Sequence, residues 1–458
     1  MTRGTVIMAV LALLSAVGAY AMRPVEMPPP TFEDTGEPLF PEFGDPNQAH
    51  FLEVVEYDDK AAQLNKFSVR FDPKRGWVIP SHNGYPADGT EQMGKAAASF
   101  IGAKKDVIRS DDPKDHAEFG VVDPEDPSAA EGARGRRVTI ENAGGIRVVD
   151  IIVGKDVPDR AGYKFVRYPG QNRVYAVALD PQVSTNFTEW IEDDLLHLEA
   201  DDVAAVLSNS YTAEERVDLA QGKVDVVTLN EEPVYFERPL GDPAGPGEWA
   251  IAAPAVFGPD GARIDPATWA GDVPLPAAHP VPEGKVFNQT AVKQIVGAAD
   301  RMKIVGVRPR SPEFDPAEMR GKGFFLKPEP GAPGDPGVRY SLVGEQGQVT
   351  LFCKDGVVYT LFFGEVTYAT GEALSAGGEG EDAAAKSDDA RANRYMFVNV
   401  SYDPRRDQTR DEPPREGEPR GAARAEQLSQ RFASWYYVIQ DLSFVQVHKL
   451  PSEFFKDG

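Results

Sequence analysis

The sequence predicts an α+β protein with two tandem related modules, each a mostly antiparallel sheet with one or two packed helices, after an N-terminal transmembrane helix. Three observations support this prediction. The chain has 458 residues, enough for about two or three domains. Its 43 glycines and 39 prolines favour strands, turns and long loops over a compact helical protein. Short strand, turn and helix patterns also recur in the same order along the chain.

Residues 1–23 are predicted to be a membrane anchor or signal segment. The run from Thr5 to Met22 is uncharged and mostly apolar, and as a helix it would be roughly 27 Å long, close to a bilayer core of about 30 Å. Arg3 precedes the run and acidic residues outnumber Arg23 after it, which places the start in the cytoplasm and the rest outside. Ala19–Ala21 is also a candidate signal-peptidase site, so a retained anchor is favoured and cleavage stays open.

Residues 24–50 are rich in proline and glutamate and show no periodicity, which predicts an extended tether. The first α+β module is expected over 51–220 and the second over 221–458. The strand Phe67–Phe71 and its hairpin partner Trp77–Ile79 open the first copy.

The second copy repeats these elements with Val234–Phe236 and Trp249–Ile251. An amphipathic helix follows in both copies. Its apolar positions are Met93, Ala96, Ala97, Phe100 and Ile101 in the first copy and Val292, Ile295, Val296 and Ala299 in the second.

Later matches occur in the same order and indicate an internal duplication. They are Val107-Ile108 with Ile304–Val307, Val138–Ile140 with Val349–Leu351, Gly145-Ile146 with Gly356-Val357, Tyr163–Val166 with Tyr395–Val398, and Phe187-x-x-Trp190 with Phe432-x-x-Trp435. Insertions near 366–394 and 403–429 are predicted to be disordered, because their charged, Pro and Gly residues bury too little apolar surface to offset chain entropy.

No local pattern indicates catalysis, so we predict no catalytic, cofactor-binding or metal-ligating residue and favour a non-enzymatic role. The chain lacks H-E-x-x-H, P-loop, G-x-S-x-G and dinucleotide-binding patterns. The single cysteine, Cys353, rules out an intrachain disulfide and is expected to be a buried small hydrophobe. A catalytic set assembled in space stays an open alternative. The histidines, none paired at i+2 or i+4, are His50, His82, His116, His197, His279 and His448.

The other polar and aromatic candidates have structural explanations. The acidic runs 111–115 and 123–127 lack the spacing of a calcium loop and are expected to be solvated. Trp77 and Trp249 are expected to cover the core under their hairpins, although an exposed pair would suit a glycan or peptide. Asn288 is expected to cap the second amphipathic helix. It is one of three sequons, at Asn186, Asn288 and Asn399.

Several segments resemble the bacterial family called domain of unknown function 4340, and the resemblance covers most of residues 52–455. The segments are Arg75–Ile79, Tyr85–Asp88, Phe119–Pro124, Asn288–Val307, Lys354–Gly364 and Trp435–Ile439. The resemblance implies a single-pass, extracytoplasmic protein, with some members encoded beside ABC-type transporter components of the gliding-motility kind. It implies no activity, cofactor or catalytic residue.

We therefore expect a membrane-anchored extracytoplasmic accessory or scaffold protein of an envelope or ABC-transporter-type complex. Its bulk would be periplasmic on the cytoplasmic membrane, or secreted if the N-terminal segment is cleaved. The expected partners are proteins of the membrane or envelope, and ABC-type transporter components are candidates among them. Nucleic acid is not expected, because 48 Lys and Arg against 72 Asp and Glu give a net charge of −24. The alternatives are a secreted or periplasmic hydrolase of envelope polymers and a small-ligand or calcium-binding module.

Overall fold

The computed structural model describes residues 34–458 except 61, 159, 193, 219–222, 242–244, 259–260, 266–274, 314, 331–337, 368–391 and 411–418. The predicted anchor at 1–23 and the first part of the tether lie outside the described residues. Within those residues, no helix combines the length and apolar composition needed to cross a bilayer.

The described end of the predicted tether packs on the first sheet instead of standing free. Leu39 and Phe43 are each 2% exposed and belong to the main hydrophobic core. The Leu39 N–H donates to the Ala103 carbonyl oxygen at 2.7 Å. The prediction of an extended tether over 24–50 is therefore wrong for residues 34–50, because their spaced apolar side chains find a core to enter.

The first sheet has nine antiparallel strands in the order β4-β3-β2-β1-β6-β7-β8-β9-β5. Its strands are β1 (Phe51–Asp58), β2 (Gln63–Asp72), β3 (Gly76–Ile79), β4 (Tyr85–Pro86), β5 (Val107–Ser110), β6 (Arg136–Glu141), β7 (Arg147–Asp156), β8 (Tyr163–Arg167) and β9 (Val174–Ala178). Helix α1 (Thr90–Ala98) and the short helix α2 (His116–Phe119) lie between β4 and β6 in the chain. The buried side chains of α1 are Met93, Ala96 and Ala97, as its apolar spacing predicts.

The second sheet has eight antiparallel strands. Its strands are β10 (Val203–Asp218), β11 (Lys223–Glu237), β14 (Ala250–Ile251), β16 (Ile304–Pro309), β19 (Gln348–Cys353), β20 (Asp355–Thr367), β21 (Asn393–Asp407) and β22 (Trp435–Gln440). Three two-stranded pairs accompany it: β12 (Leu240–Gly241) with β13 (Gly245–Pro246), β15 (Lys285–Phe287) with β23 (Phe455–Asp457), and β17 (Phe324–Pro330) with β18 (Val338–Gly344). The helices are α3 (Gln289–Asp300), α4 (Pro316–Arg320), α5 (Gly421–Phe432) and α6 (Asp441–Val447).

The two sheets have the same strand order, apart from the additional edge strand β4 of the first sheet. Without β4 the first runs β3-β2-β1-β6-β7-β8-β9-β5, and the second runs β14-β11-β10-β19-β20-β21-β22-β16. Corresponding strands also follow one another in the same order along the chain. Helices α1 and α3 occupy the same place, between the third strand of each series and the strand at its far edge. The sequence matches for the opening hairpins, these helices and the β6 and β19 strands therefore fall on topologically equivalent elements.

Two of the predicted matches are wrong. Phe187 and Trp190 follow the last strand of the first sheet, whereas Phe432 and Trp435 lead into the last strand of the second. Two aromatics three residues apart occur easily by chance, so this short pattern does not identify equivalent positions.

The match of Tyr163–Val166 with Tyr395–Val398 is offset by two residues. Val166 pairs with Val153 in the first sheet, whereas Met396 pairs with the equivalent Phe363 in the second. A shift of two keeps the same face of the strand inward, so alternation alone does not reveal the error.

Each sheet places a glycine where another segment crosses it closely. A Cβ atom on Gly154 of β7 would lie 2.4 Å from the carbonyl oxygen of Phe119, at the end of α2. A Cβ atom on Gly364 of β20 would lie 2.1 Å from the carbonyl oxygen of Lys322, just after α4. The two glycines occupy equivalent strand positions and admit the same crossing.

One hydrophobic core extends through both sheets. The connecting segment between β9 and β10 is part of it, with Leu195, Leu196 and Leu198 each no more than 2% exposed. The same segment contains a 3₁₀ turn at Phe187–Glu189. Trp435 of the second sheet contacts Tyr85 of the first, with ring centroids 5.1 Å apart.

The sheets divide at a different residue from the predicted module boundary. Strand β10 pairs with both β11 and β19, so a boundary at residue 220 falls inside a hairpin of the second sheet. A boundary that separates the sheets lies between the end of β9 and the start of β10.

The prediction of disorder across 403–429 is wrong for most of the described part of that range. Strand β21 continues to Asp407 and α5 begins at Gly421. Helix α5 buries Ala425, Leu428 and Phe432, spaced i, i+3 and i+7, a stripe that the surrounding charges concealed. Residues 368–391 and 411–418 lie outside the described residues.

Candidate functional site

A pocket of about 560 Å³ lies between the outer face of the second sheet and the hairpin β17–β18. The sheet residues that line it point away from the core, because Val349, Leu351 and Cys353 take the inward positions of β19. The lining residues are Asn209, Tyr211, Glu231, Arg310, Lys327, Glu329, Ser341, Leu342, Val343, Gln348, Thr360, Phe362, Phe397 and Asn399.

Two small apolar clusters hold the hairpin over the sheet. Phe324 packs with Phe362, Phe397 and Tyr436. Val343 packs with Tyr211 and Ala213, and the partly buried Phe325 lies against this second cluster. At the base of the hairpin, the Glu345 N–H donates to the Gly323 carbonyl oxygen at 2.8 Å. The pocket is the space that remains between these clusters.

One wall of the pocket is a network around Glu231. Its carboxylate accepts hydrogen bonds from Asn209 Nδ2 at 3.0 Å and Thr228 Oγ1 at 2.7 Å. Lys327 Nζ lies 3.5 Å from the same carboxylate. Burial by itself would raise the pKa of Glu231, but these hydrogen bonds and the lysine charge lower it below its ordinary value. Glu231 therefore stays ionised at neutral pH.

Other polar groups of the pocket keep unused hydrogen-bonding capacity. The Arg310 guanidinium contacts the Phe397 ring, 5.5 Å from its centroid, and forms no ion pair within the described part of the chain. Gln348 accepts from Tyr211 Oη at 3.0 Å through Oε1, which leaves its Nε2 donor unused among the described residues. The Asn399 amide likewise has no hydrogen-bond partner there. These groups are available to a bound molecule.

The equivalent face of the first sheet is closed by ion pairs. Arg137 and Asp150 form a two-point pair, with Nε–Oδ1 at 2.9 Å and Nη2–Oδ2 at 3.0 Å. Asp123 lies 3.5 Å from Arg137, and Glu125 pairs with Lys66. Asp123 and Glu125 come from the segment between α2 and β6, which these contacts fasten against the sheet.

The strand registers show what replaces these pairs in the second sheet. Thr139 pairs with Asp150 across β6–β7, and the matching Thr350 pairs with Thr360 across β19–β20. Gln348 likewise stands where the first sheet has Arg137. The ion-pairing side chains are thus exchanged for neutral polar ones, and a longer connection forms the raised hairpin β17–β18.

The sequence-based candidates lie mostly outside this pocket. Cys353 is buried, and burial raises the pKa of its thiol to about 12. Trp249 is buried under its hairpin, and the half-buried Trp77 packs on Gly89, as expected of core-covering residues. Asn288 occupies the N-cap position of α3, but its side chain donates to the Glu453 carbonyl oxygen at 3.2 Å, so the prediction of a side-chain cap is wrong.

The acidic runs act locally as turn caps and ion-pair partners. Asp112 accepts the Lys114 N–H at 3.0 Å, and Asp111 pairs with Arg173 at 2.7 Å. Across the described ranges, no group of three His, Cys, Asp or Glu residues is placed to hold a metal ion.

Sequence reasoning did not identify the pocket. Asn399 lies in a sequon, and no local motif contains Asn209, Gln348 or Thr360. A signal was present, because the second copy has Gln348 where the first copy has Arg137. Interpreting that exchange requires the strand register.

A family model described as Domain of unknown function (DUF4340) matches residues 77–321. The match begins in β3 and ends just after α4, before the hairpin β17–β18. No curated protein and no solved structure matches the chain.

Proposed function

The chain belongs to the family of domain of unknown function 4340, and on this premise we propose that it is a membrane-anchored, extracytoplasmic accessory or scaffold protein. The apolar run from Thr5 to Met22 would anchor it, and its two sheets would form the extracytoplasmic body. The common strand order supports an origin of this body by duplication of one module. Its partners would be proteins of an envelope or ABC-transporter-type complex.

The observation that carries this proposal is the unpaired outer edge of β18. The hairpin β17–β18 is a two-stranded sheet of its own, so within the described residues β18 pairs with β17 alone. An open strand edge binds an extended segment of another protein through main-chain hydrogen bonds. Tyr340 on this strand is 64% exposed and would contact such a segment.

The other edge of the hairpin is protected. Pro328 and Pro330 occupy alternate positions of β17, so their nitrogens point the same way. Proline is tolerated in a strand where its nitrogen faces away from the neighbouring strand. The two prolines therefore remove hydrogen-bond donors from the outer edge of β17. β18 contains no proline, so docking by strand addition is directed to that strand.

The alternative of an envelope hydrolase receives less support. Such an enzyme requires two carboxyl groups about 5–10 Å apart, one of them protonated to act as a general acid. Glu231 and Glu329 are the carboxyl groups that line the pocket, and the lowered pKa of Glu231 keeps that side chain ionised. It would suit a base or a charge partner but not the acid.

We expect site-specific photo-cross-linking to identify a partner through β18. A photoreactive amino acid in place of Tyr340, in the full chain in native membranes, should cross-link to another envelope protein. The matched control is the same substitution at Ile146, which is 59% exposed in the turn between β6 and β7 of the first sheet. Equal cross-linking from both positions, or from neither, would contradict docking at β18.

Fractionation of cells that express the full chain tests the membrane anchor. The full chain should sediment with membranes and require detergent for release. A chain with residues 1–23 exchanged for a cleavable export signal should become soluble outside the cytoplasm. Recovery of the intact full chain from the cytosol would remove the proposal.

A further inference from the structure

The pocket over the second sheet is lined by two carboxylates, Glu231 and Glu329, and two cations, and one of these cations has no ion-pair partner within the described residues. Acidic residues outnumber basic ones by 72 to 48, so carboxylate partners are plentiful in this chain. Lys327, the other pocket cation, has Glu231 at 3.5 Å. The Arg310 guanidinium contacts only the Phe397 ring within the described residues. A guanidinium left in this state matches the geometry of a carboxylate, which it binds through two parallel hydrogen bonds.

Neutral hydrogen-bonding groups lie at a fixed spacing from that guanidinium. Phe397, under Arg310, and Asn399 are two residues apart on the same face of β21, roughly 7 Å at the rise of an antiparallel strand. Thr360 pairs with Asn399 and Phe362 pairs with Phe397, so the polar and aromatic groups form two adjacent rows. A carboxylate on Arg310 would place the rest of a ligand along the polar row.

The pocket has the size and mixed chemistry of a small-molecule site. A volume of about 560 Å³ lies within the roughly 300–1,000 Å³ that is usual for ligand pockets. Leu342, Val343 and Phe362 supply an apolar wall, while Gln348 and Asn399 supply amides. Strands β10, β19, β20 and β21 beneath it are each paired on both sides, so recognition falls to these side chains.

We propose that this pocket binds a small carboxylate ligand that carries amide or hydroxyl groups, of the size of a dipeptide or a sugar acid. Arg310 holds the carboxylate. Gln348, Thr360 and Asn399 hydrogen-bond the neutral polar groups, and Phe397 and Leu342 contact the apolar part. Among the described residues of the first sheet, Arg137 and Asp150 close the equivalent face by pairing with each other. The proposal does not depend on the membrane anchor or on docking at β18.

Calorimetric titration of the detergent-solubilised full chain tests this site with two matched pairs of probes. One pair is acetyl-alanyl-alanine and its C-terminal amide, and the other is glucuronate and glucose. The carboxylate member of one pair should bind, with its neutral counterpart at least about tenfold weaker, which corresponds to about 1.4 kcal/mol. Binding of acetyl-alanyl-alanine would identify the ligand class as a peptide C-terminus, and binding of glucuronate would identify it as a sugar acid.

Titration of two arginine variants tests whether the probe binds in this pocket. Arg310→Gln should weaken binding of the carboxylate probe about tenfold or more and leave the melting temperature unchanged, because Arg310 is exposed. Arg320→Gln is the matched control, since Arg320 pairs with Glu215 at 2.8 Å and lies outside the pocket. No binding of any probe at millimolar concentration, equal binding within both pairs, or unchanged affinity in Arg310→Gln would overturn the proposal. The cross-linking from β18 reports separately on the accessory role.

Discussion

Gly364→Ala is expected to destabilise the protein by at least about 3 kcal/mol. A Cβ atom at Gly364 would lie 2.1 Å from the backbone carbonyl oxygen of Lys322 and 2.9 Å from the Phe324 ring. A backbone oxygen cannot move aside as a flexible side chain does, so β20 or the hairpin base must shift. Gly154→Ala should have a similar effect, since its Cβ atom would lie 2.4 Å from the Phe119 oxygen. Thermal unfolding of the purified variants measures both.

Gly94→Ala is the matched control for these substitutions. Gly94 lies inside α1, and a Cβ atom there would have nothing within 4 Å. Alanine is preferred over glycine in a helix interior by about 0.5–1 kcal/mol, so this variant should be slightly stabilised. Tolerance of alanine at either strand glycine would mean that the crossing segments do not approach the sheets as described.

Arg424→Met is expected to cost about 3–5 kcal/mol, because it leaves the carboxylate of Asp355 buried without its partner. Arg424 Nη1 lies 2.9 Å from Asp355 Oδ2, and Asp355 is only 5% exposed. The same guanidinium donates to the His197 carbonyl oxygen at 2.6 Å and to Tyr359 Oη at 3.1 Å. It therefore joins α5 to both the second sheet and the segment that connects the two sheets. Chemical denaturation of the variant measures the loss.

Two comparisons identify the cause of this loss. The double variant Arg424→Met with Asp355→Asn should be more stable than Arg424→Met alone, because no buried charge remains unpaired. Arg405→Met removes a half-exposed guanidinium 2.7 Å from Asp403, and Asp403 keeps Arg406 at 3.5 Å, so this change should cost less than about 1 kcal/mol. Equal losses from Arg424→Met and Arg405→Met would contradict the buried role of Arg424.

Much of the fold was predictable because local patterns carried it. The hairpin around Trp77, the apolar stripes of α1 and α3, and the inward alternation of Val349 and Leu351 each determine an element without long-range information. Their repetition predicted two similar sheets. In the structure, the hairpin, the two helices and the strand β19 are present, and most of their apolar residues are buried as these patterns predict.

The errors arose where tertiary contacts decide the structure. Helix α5 has few apolar residues and gains its stability from packing against β20 and β21, so its composition resembled that of a loop. The predicted module boundary at residue 220 is misplaced, because the sequence of the long hairpin β10–β11 does not indicate which of the two sheets the hairpin joins. The pocket depends on register and on a raised hairpin, so no single segment of sequence contains it.

Thiol labelling tests most directly whether the outer face of the second sheet is open while that of the first is closed. Cys353 is the only native thiol and is 1% exposed, so it adds little background. Thr360→Cys in the pocket and Thr139→Cys beneath the ion pairs are nearly isosteric changes on equivalent faces. A maleimide should label the thiol at 360 in the folded protein and the thiol at 139 only after unfolding. Equal labelling of the two folded variants, or protection of both, would contradict the account.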